Sequence, residues 1–137
     1  MSESFGDTSY VVALLVPKDM NHLAAHHLAS ASRSAIVTSE YIVVEVANLL
    51  SRRVTRTLFE RFALALDGDE RVTMIPVSSF LLKRGIELYT ARTDKTWSLT
   101  DCISFEIMRM QGITDALTAD HHFEQAGFNV LLRPVTG

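Results

Sequence analysis

The stretch Ala35-Ile36-Val37-Thr38-Ser39-Glu40-Tyr41-Ile42-Val43-Val44-Glu45-Val46-Ala47-Asn48-Leu49-Leu50 changes its hydrophobic period in the middle. Ala35 to Thr38 is a short apolar, β-branched run of the kind that forms a buried strand. From Glu40 to Ser51 the period becomes helical. At about 100° per residue, Ile42, Val43, Val46, Ala47, Leu49 and Leu50 share one apolar arc, and Glu45 falls just outside it. Thr38-Ser39-Glu40 supplies the cap chemistry of a helix start. A buried strand feeding directly into an amphipathic helix is the unit of an α/β fold with a parallel sheet.

The same unit recurs on either side. Val72 to Val77, Ala116 to Thr118 and Asn129 to Leu132 read as strands, and Ser4 to Gly6 is inferred as a further one from the pattern. Thr8 to Val16, Asn21 to Ser30, Thr55 to Leu66, Ser79 to Ala91 and Thr100 to Met110 read as helices. His121 to Gln125 reads as a short helical segment. The expectation is one domain spanning 1–137, α/β in class, with helices on both faces of a parallel sheet. In such a sheet the strand-to-helix junctions share one edge, where ligands of open α/β folds bind.

Acidic residues sit at those junctions: Asp7 before the Thr8 helix, Asp101 behind Ser98-Leu99-Thr100, and Asp120 before His121. Each has a structural explanation. Asp7 and Asp120 suit the N-cap position, and Ser98 with Asp101 matches a capping box. Glu45, on the rim of its helix's apolar arc, suits a snorkelling or arginine-paired acid. Taken together, they would place several carboxylates in one cleft at the sheet edge. Such a cluster repels itself at neutral pH unless some groups stay protonated or a hard divalent cation such as Mg²⁺ or Mn²⁺ neutralises them. A metal held this way would suit phosphodiester hydrolysis.

The wider composition narrows the alternatives. A net charge of −3 and a pI near 5.9 argue against nucleic-acid binding by bulk charge. Arg52, Arg53, Arg56 and Arg61 cluster locally, and their plainest reading is a solvated helix terminus favoured by the macrodipole. The longest apolar runs, Tyr10 to Val16 and Tyr41 to Leu50, are too short to span a membrane. The acidic N-terminal residues do not resemble a secretory signal. The single Cys102 makes no internal disulfide, so a cytoplasmic protein is expected. His22 and His26, spaced i, i+4, and the pair His121-His122 lack the further ligands of a zinc site and read as polar-face or capping residues. The glycines form no phosphate-binding fingerprint. Cys102 and Met74, Met108 and Met110 read as core.

At this point the residues resemble a known family, the PIN-domain ribonucleases, and among them the small VapC-like toxins of bacterial toxin–antitoxin pairs. The resemblance covers nearly the whole chain. Asp7-Thr8-Ser9 with Val12-Ala13-Leu14-Leu15, Asp19, His22 and Ala25 is similar to the family's opening motif. Thr38-Ser39-Glu40 leading to Val44-Glu45-Val46-Ala47-Asn48 is similar to the second. The most specific are Trp97-Ser98-Leu99-Thr100-Asp101-Cys102 with Ser104-Phe105, and Ala116-Leu117-Thr118-Ala119-Asp120-His121-His122-Phe123 with Ala126-Gly127-Phe128. Gly6 departs from the pattern, standing where the family usually has an apolar strand residue.

The resemblance implies a three-layer α/β/α fold around a short, mainly parallel sheet. It implies a cytoplasmic endoribonuclease dependent on Mg²⁺ or Mn²⁺, commonly a homodimer, silenced by an antitoxin whose tail occupies the cleft. Asp7, Glu45 and Asp101 would be the core metal-binding and catalytic acids, with Asp120 more loosely placed. Thr8, Ser9 and Thr118 offer hydroxyls to the same site, or cap helices. Tyr10 and Trp97 offer rings for base stacking, although core or interface packing explains them better. Two other classes compete. One is a non-catalytic PIN-like module that binds RNA or protein, its acids serving as caps. The other is a phosphate-handling α/β enzyme acting through Asp7, which lacks the adjacent second acid such enzymes use.

Overall fold

The computed structural model describes residues 3–31 and 34–133. Among these residues five short strands form the sheet: β1 (Ser4–Gly6), β2 (Ile36–Ser39), β3 (Val72–Ile75), β4 (Asp115–Leu117) and β5 (Asn129–Val130). Seven helices among the described residues connect and cover them: α1 (Thr8–Leu15), α2 (His22–Ala31), α3 (Glu40–Leu49), α4 (Arg53–Asp67), α5 (Ser79–Ala91), α6 (Leu99–Gln111) and α7 (His121–Gln125). Every expected element is present, with boundaries shifted by no more than a few residues. The sheet order is β3-β2-β1-β4-β5 and every pairing is parallel. β1 is central despite Gly6, and all three of its residues are buried.

Parallel pairing sends each strand's carboxyl end to the same edge, and the helix starts gather there. Gly6 pairs with Leu117 in register, so Asp7 and Thr118, one residue further on, emerge side by side. The chain order reverses around β1, whose neighbours β2 and β4 lead away in opposite directions. A crevice opens at such a switch point.

The core is one cluster. α6 buries eight successive residues, Asp101 to Met108, which an amphipathic surface helix would not do. Within it Phe105 meets Trp97, Phe123 and Phe128 with ring centroids 5.0, 4.8 and 5.7 Å apart. Tyr10 and Trp97 are both buried, so neither ring is presented for stacking. Cys102 is fully buried and its thiol is pushed up to about 11, chiefly by that burial. Gly112 ends α6 in the left-handed conformation, at φ 69°.

Several sequence expectations require correction. Leu49 is 61% exposed and Met110 54% exposed, so neither is core. Arg52, Arg53 and Arg56 do flank a helix terminus, but it is the N-terminus of α4. The macrodipole opposes cations there. The break expected between Ser51 and Thr55 is present, with α4 starting at Arg53. α4 itself buries no residue completely. Beneath it, a mostly apolar cavity of about 250 Å³ lies between α1, α2, α4 and the sheet, with Gly6 and Ile36 among its lining.

Candidate active site

A second cavity, of about 330 Å³, opens at the carboxyl edge of the sheet and is lined by Asp7, Glu45, Asp101 and Asp120. All four acids expected from the sequence therefore face one space. Thr8, Ser9, Val12, Asp19, Asn21 and Leu49 complete the lining.

Asp7 follows β1 directly. It occupies the N-cap position of α1, yet its side chain makes no cap bond, so the expected capping role is not realised. Instead its Oδ2 accepts a hydrogen bond from Thr118 Oγ1 at 2.7 Å and lies 3.5 Å from the Ser9 hydroxyl. Asp7 is only 3% exposed. Burial raises its pKa to about 7, against the lowering effects of the Thr118 hydroxyl and the Thr8 backbone, and Asp101 and Glu45 add repulsion in the same upward direction.

Glu45 is held differently. Its helix starts at Ser39, whose hydroxyl accepts from the Ile42 N–H and fixes α3 as it leaves β2. The Glu45 carboxylate accepts a hydrogen bond from the Thr8 hydroxyl. It forms no ion pair among the described residues, which sets aside the arginine-paired explanation.

Asp101 and Asp120 do both jobs at once. Ser98 and Asp101 form the expected capping box, with Asp101 N to Ser98 Oγ at 3.0 Å and Ser98 N to Asp101 Oδ2 at 3.1 Å. The carboxylate is thereby locked against the start of α6 while still lining the cleft. Its pKa is raised, first by burial, with Asp120 pushing the same way; the Ser98 backbone and His122 oppose. Asp120 caps α7 by accepting from His122 N at 2.9 Å.

The hydroxyls expected mainly as helix caps chiefly brace the carboxylates. Ser9 Oγ and Thr118 Oγ1 are 2.9 Å apart, and Thr118 bonds Asp7. Ser9 Oγ also accepts from Ala119 N, and Thr118 Oγ1 from Asp120 N, both at 3.0 Å. This lattice ties the loop carrying Asp120 to the start of α1. No helical periodicity marks it, because it joins residues from opposite ends of the chain.

Asp19 and Asn21 received no role from sequence reasoning, and His122, read as a polar-face or capping residue, instead has a side chain only 19% exposed. Asp19 accepts from Asn21 N at 2.8 Å. Asn21 Oδ1 and His122 Nδ1 are buried without hydrogen-bond partners among the described residues. The i, i+4 pair His22 and His26 has a structural task. Their ring nitrogens lie 2.7 and 3.1 Å from the Ala13 and Leu14 carbonyl oxygens, meeting acceptors that the end of α1 leaves open.

The donor set suits a divalent cation: oxygen-rich, crowded with like charge, and including Asn21, whose buried Oδ1 has no hydrogen-bond partner among the described residues.

Comparison with known proteins agrees with this fold. The model of the PIN domain family matches residues 5–129. A protein of Mycobacterium tuberculosis named 23S rRNA-specific endonuclease VapC20 is 32% identical over 131 residues, covering 95% of this chain and 98% of that protein. The crystal structure of Mycobacterium tuberculosis VapC20, described as a sarcin-ricin loop cleaving toxin, aligns with a TM-score of 0.84 at 29% identity, over 93% of this chain and 96% of that one. A chain from a toxin-antitoxin complex of Klebsiella pneumoniae shares the fold, with a TM-score of 0.62 at 17% identity over 86% and 87% of the two chains.

Proposed function

The chain belongs to the PIN-domain family, and from that premise we propose that it is a divalent-metal-dependent endoribonuclease, the toxin of a toxin–antitoxin pair. The observation that carries this reading is the convergence of Asp7, Glu45, Asp101 and Asp120 on one cavity at the switch point of a parallel sheet. The name of the relative VapC20 supports RNA as substrate, and an rRNA hairpin loop is the first target to test.

In this reading Asp7, Glu45 and Asp101 hold Mg²⁺ or Mn²⁺, with Asp120 at the outer side. When bound, such an ion supplies Lewis acidity at a phosphodiester and offsets the charge of the cluster. The chain's own residues do the rest. Thr118 and Ser9 aim the Asp7 carboxylate, and Thr8 aims that of Glu45. Ser98 holds Asp101 in one rotamer through the capping box. Positions held by hydrogen bonds before substrate arrives need little reorganisation on binding. A site open at the sheet edge also admits the splayed single-stranded segments that RNA-cleaving proteins recognise.

A cytoplasmic location, an antitoxin partner and a homodimer belong to the same proposal. No helix among the described residues is long and apolar enough to cross a membrane.

The test is incubation of purified, antitoxin-free protein with total RNA and an rRNA hairpin in Mg²⁺ or Mn²⁺, with the cut ends mapped by sequencing. Discrete cuts that vanish with EDTA and in Asp101→Asn are expected. The Asn side chain retains an oxygen to accept from Ser98 N, so the helix start survives while a charge is lost. Folded protein that binds RNA but leaves it intact in both metals would overturn the enzyme reading in favour of a binding module.

A further inference from the structure

His122 lies 3.3 Å from Asp101 Oδ2 and 3.2 Å from Asp120 Oδ1 through a single atom, Nδ1. Nδ1 is buried, and neither oxygen is placed to accept a hydrogen bond from it. Both oxygens already have backbone donors, Ser98 N and His122 N respectively. The other ring nitrogen, Nε2, is 3.3 Å from Thr96 Oγ1. With Nε2–H donating to that hydroxyl, Nδ1 carries a lone pair. Nδ1 then turns its lone pair toward each of the two carboxylates, contacts that are repulsive unless a cation joins them.

The spacing fits a cation. Adjacent ligands of an octahedral ion with bonds of roughly 2.1 Å are about 3 Å apart, close to both separations seen here. His121 is a poorer donor to the same space: its side chain is 70% exposed and its Nδ1 is 3.8 Å from Asp120 Oδ1.

Resting on the metal-dependent reading above, we propose that His122 supplies a nitrogen ligand, through Nδ1, to a divalent ion shared with Asp101 and Asp120, and that this ligand biases the site toward Mn²⁺ over Mg²⁺. Mg²⁺ favours all-oxygen surroundings, whereas imidazole suits the transition metals. His122 is therefore a selectivity-determining residue, distinct from the oxygen donors that any hard cation would use.

Pulsed EPR of the Mn²⁺-loaded protein reads a ligand nitrogen without reference to activity. Imidazole nitrogen coupling is expected in the unsubstituted protein and in His121→Ala, and is expected to vanish in His122→Ala. Calorimetric titration should show His122→Ala losing at least about tenfold in Mn²⁺ affinity while Mg²⁺ affinity stays within about twofold. Mn²⁺ binding without nitrogen coupling, or coupling that survives His122→Ala, overturns the proposal. Equal losses for both ions overturn the selectivity and leave His122 as a positioning residue for Asp101 and Asp120. If His122→Ala fails to fold, the spectrum of the unsubstituted protein still decides, with His122→Asn as the second variant. Failure to bind either ion would overturn the nuclease reading as well, whereas metal-dependent RNA cleavage without nitrogen coupling overturns this inference alone.

Discussion

Thr118 Oγ1 donates a 2.7 Å hydrogen bond to Asp7 Oδ2, joining residues 111 positions apart at the ends of two neighbouring strands. The bond is buried and its acceptor is a carboxyl group, so it belongs to the stronger class of side-chain hydrogen bonds. Thr118→Val keeps the shape and removes the donor. It is expected to leave the fold intact, lower stability by about 1–3 kcal/mol, and weaken divalent-ion binding by roughly tenfold or more. Denaturant unfolding and metal titration of the same variant measure the two effects separately.

Asp7 also sets a pH dependence in metal-free protein. Its pKa is about 7 when buried, against 3.8 as the unperturbed value. Between those values the unfolded state releases its proton while the folded state keeps it. Stability is therefore full below about pH 4, falls as pH rises to about 7, and is level above. The shift corresponds to roughly 4 kcal/mol as an upper limit. In EDTA, Asp7→Asn is expected to be more stable than the parent at pH 8 and no more stable at pH 4. Adding Mn²⁺ at pH 8 should raise the melting temperature of the parent and not that of the variant.

Gly85 of α5 packs against Ile103 of α6. A Cβ built there would lie 2.4 Å from Ile103 Cγ1 and 3.4 Å from Ile103 Cα. Helix propensity alone favours Gly85→Ala by about 1 kcal/mol. The clash reverses that sign. The variant is expected to lose about 1–3 kcal/mol, as measured by urea unfolding, because the two helices must separate to admit one methyl group.

Arg52 is the N-cap of α4 and makes no side-chain cap bond. Its φ of −67° and ψ of 149° suit a capping side chain. Arg52→Asp supplies both a cap and a favourable charge for the dipole, and is expected to add about 1 kcal/mol of stability. Thermal unfolding at low and high salt would show the dipole part shrinking with screening.

The order and type of every element could be read from the chain, since a parallel α/β fold makes its strands short apolar runs and its helices long periodic ones. Asp7, Glu45, Asp101 and Asp120 stood out for a related reason: Asp7 and Asp120 sit where strands end and helices begin, Asp101 sits in the first turn of a helix that follows another helix, and Glu45 sits at the rim of an apolar arc. Other features were less visible. The split between α3 and α4 was read, but α4 starts at Arg53, ahead of the expected Thr55, with no Gly or Pro to mark the boundary, so the arginines were placed at the wrong end of a helix. Leu49 belongs to the apolar arc by angle, but beside it the helix faces an open cleft instead of the core. Thr8, Ser9 and Thr118 looked like caps because capping is local, whereas bracing a carboxylate across the sheet has no local signature. His122 was hidden for the same reason: its importance lies in its distances to Asp101 and Asp120, and only the second is near in sequence.

The dispersion of the cleft's residues along the chain also bears on when this protein can act during its own synthesis. Asp7 and Glu45 leave the ribosome early, but Asp101, Thr118 and Asp120 follow only near the end, and β1 needs β4 beside it before Asp7 is braced. Parallel strands joined over such separations pair late and slowly. On the function proposed above, the nascent chain is harmless to the ribosome that makes it until α7 has emerged. An antitoxin made alongside it would need to capture only the completed fold.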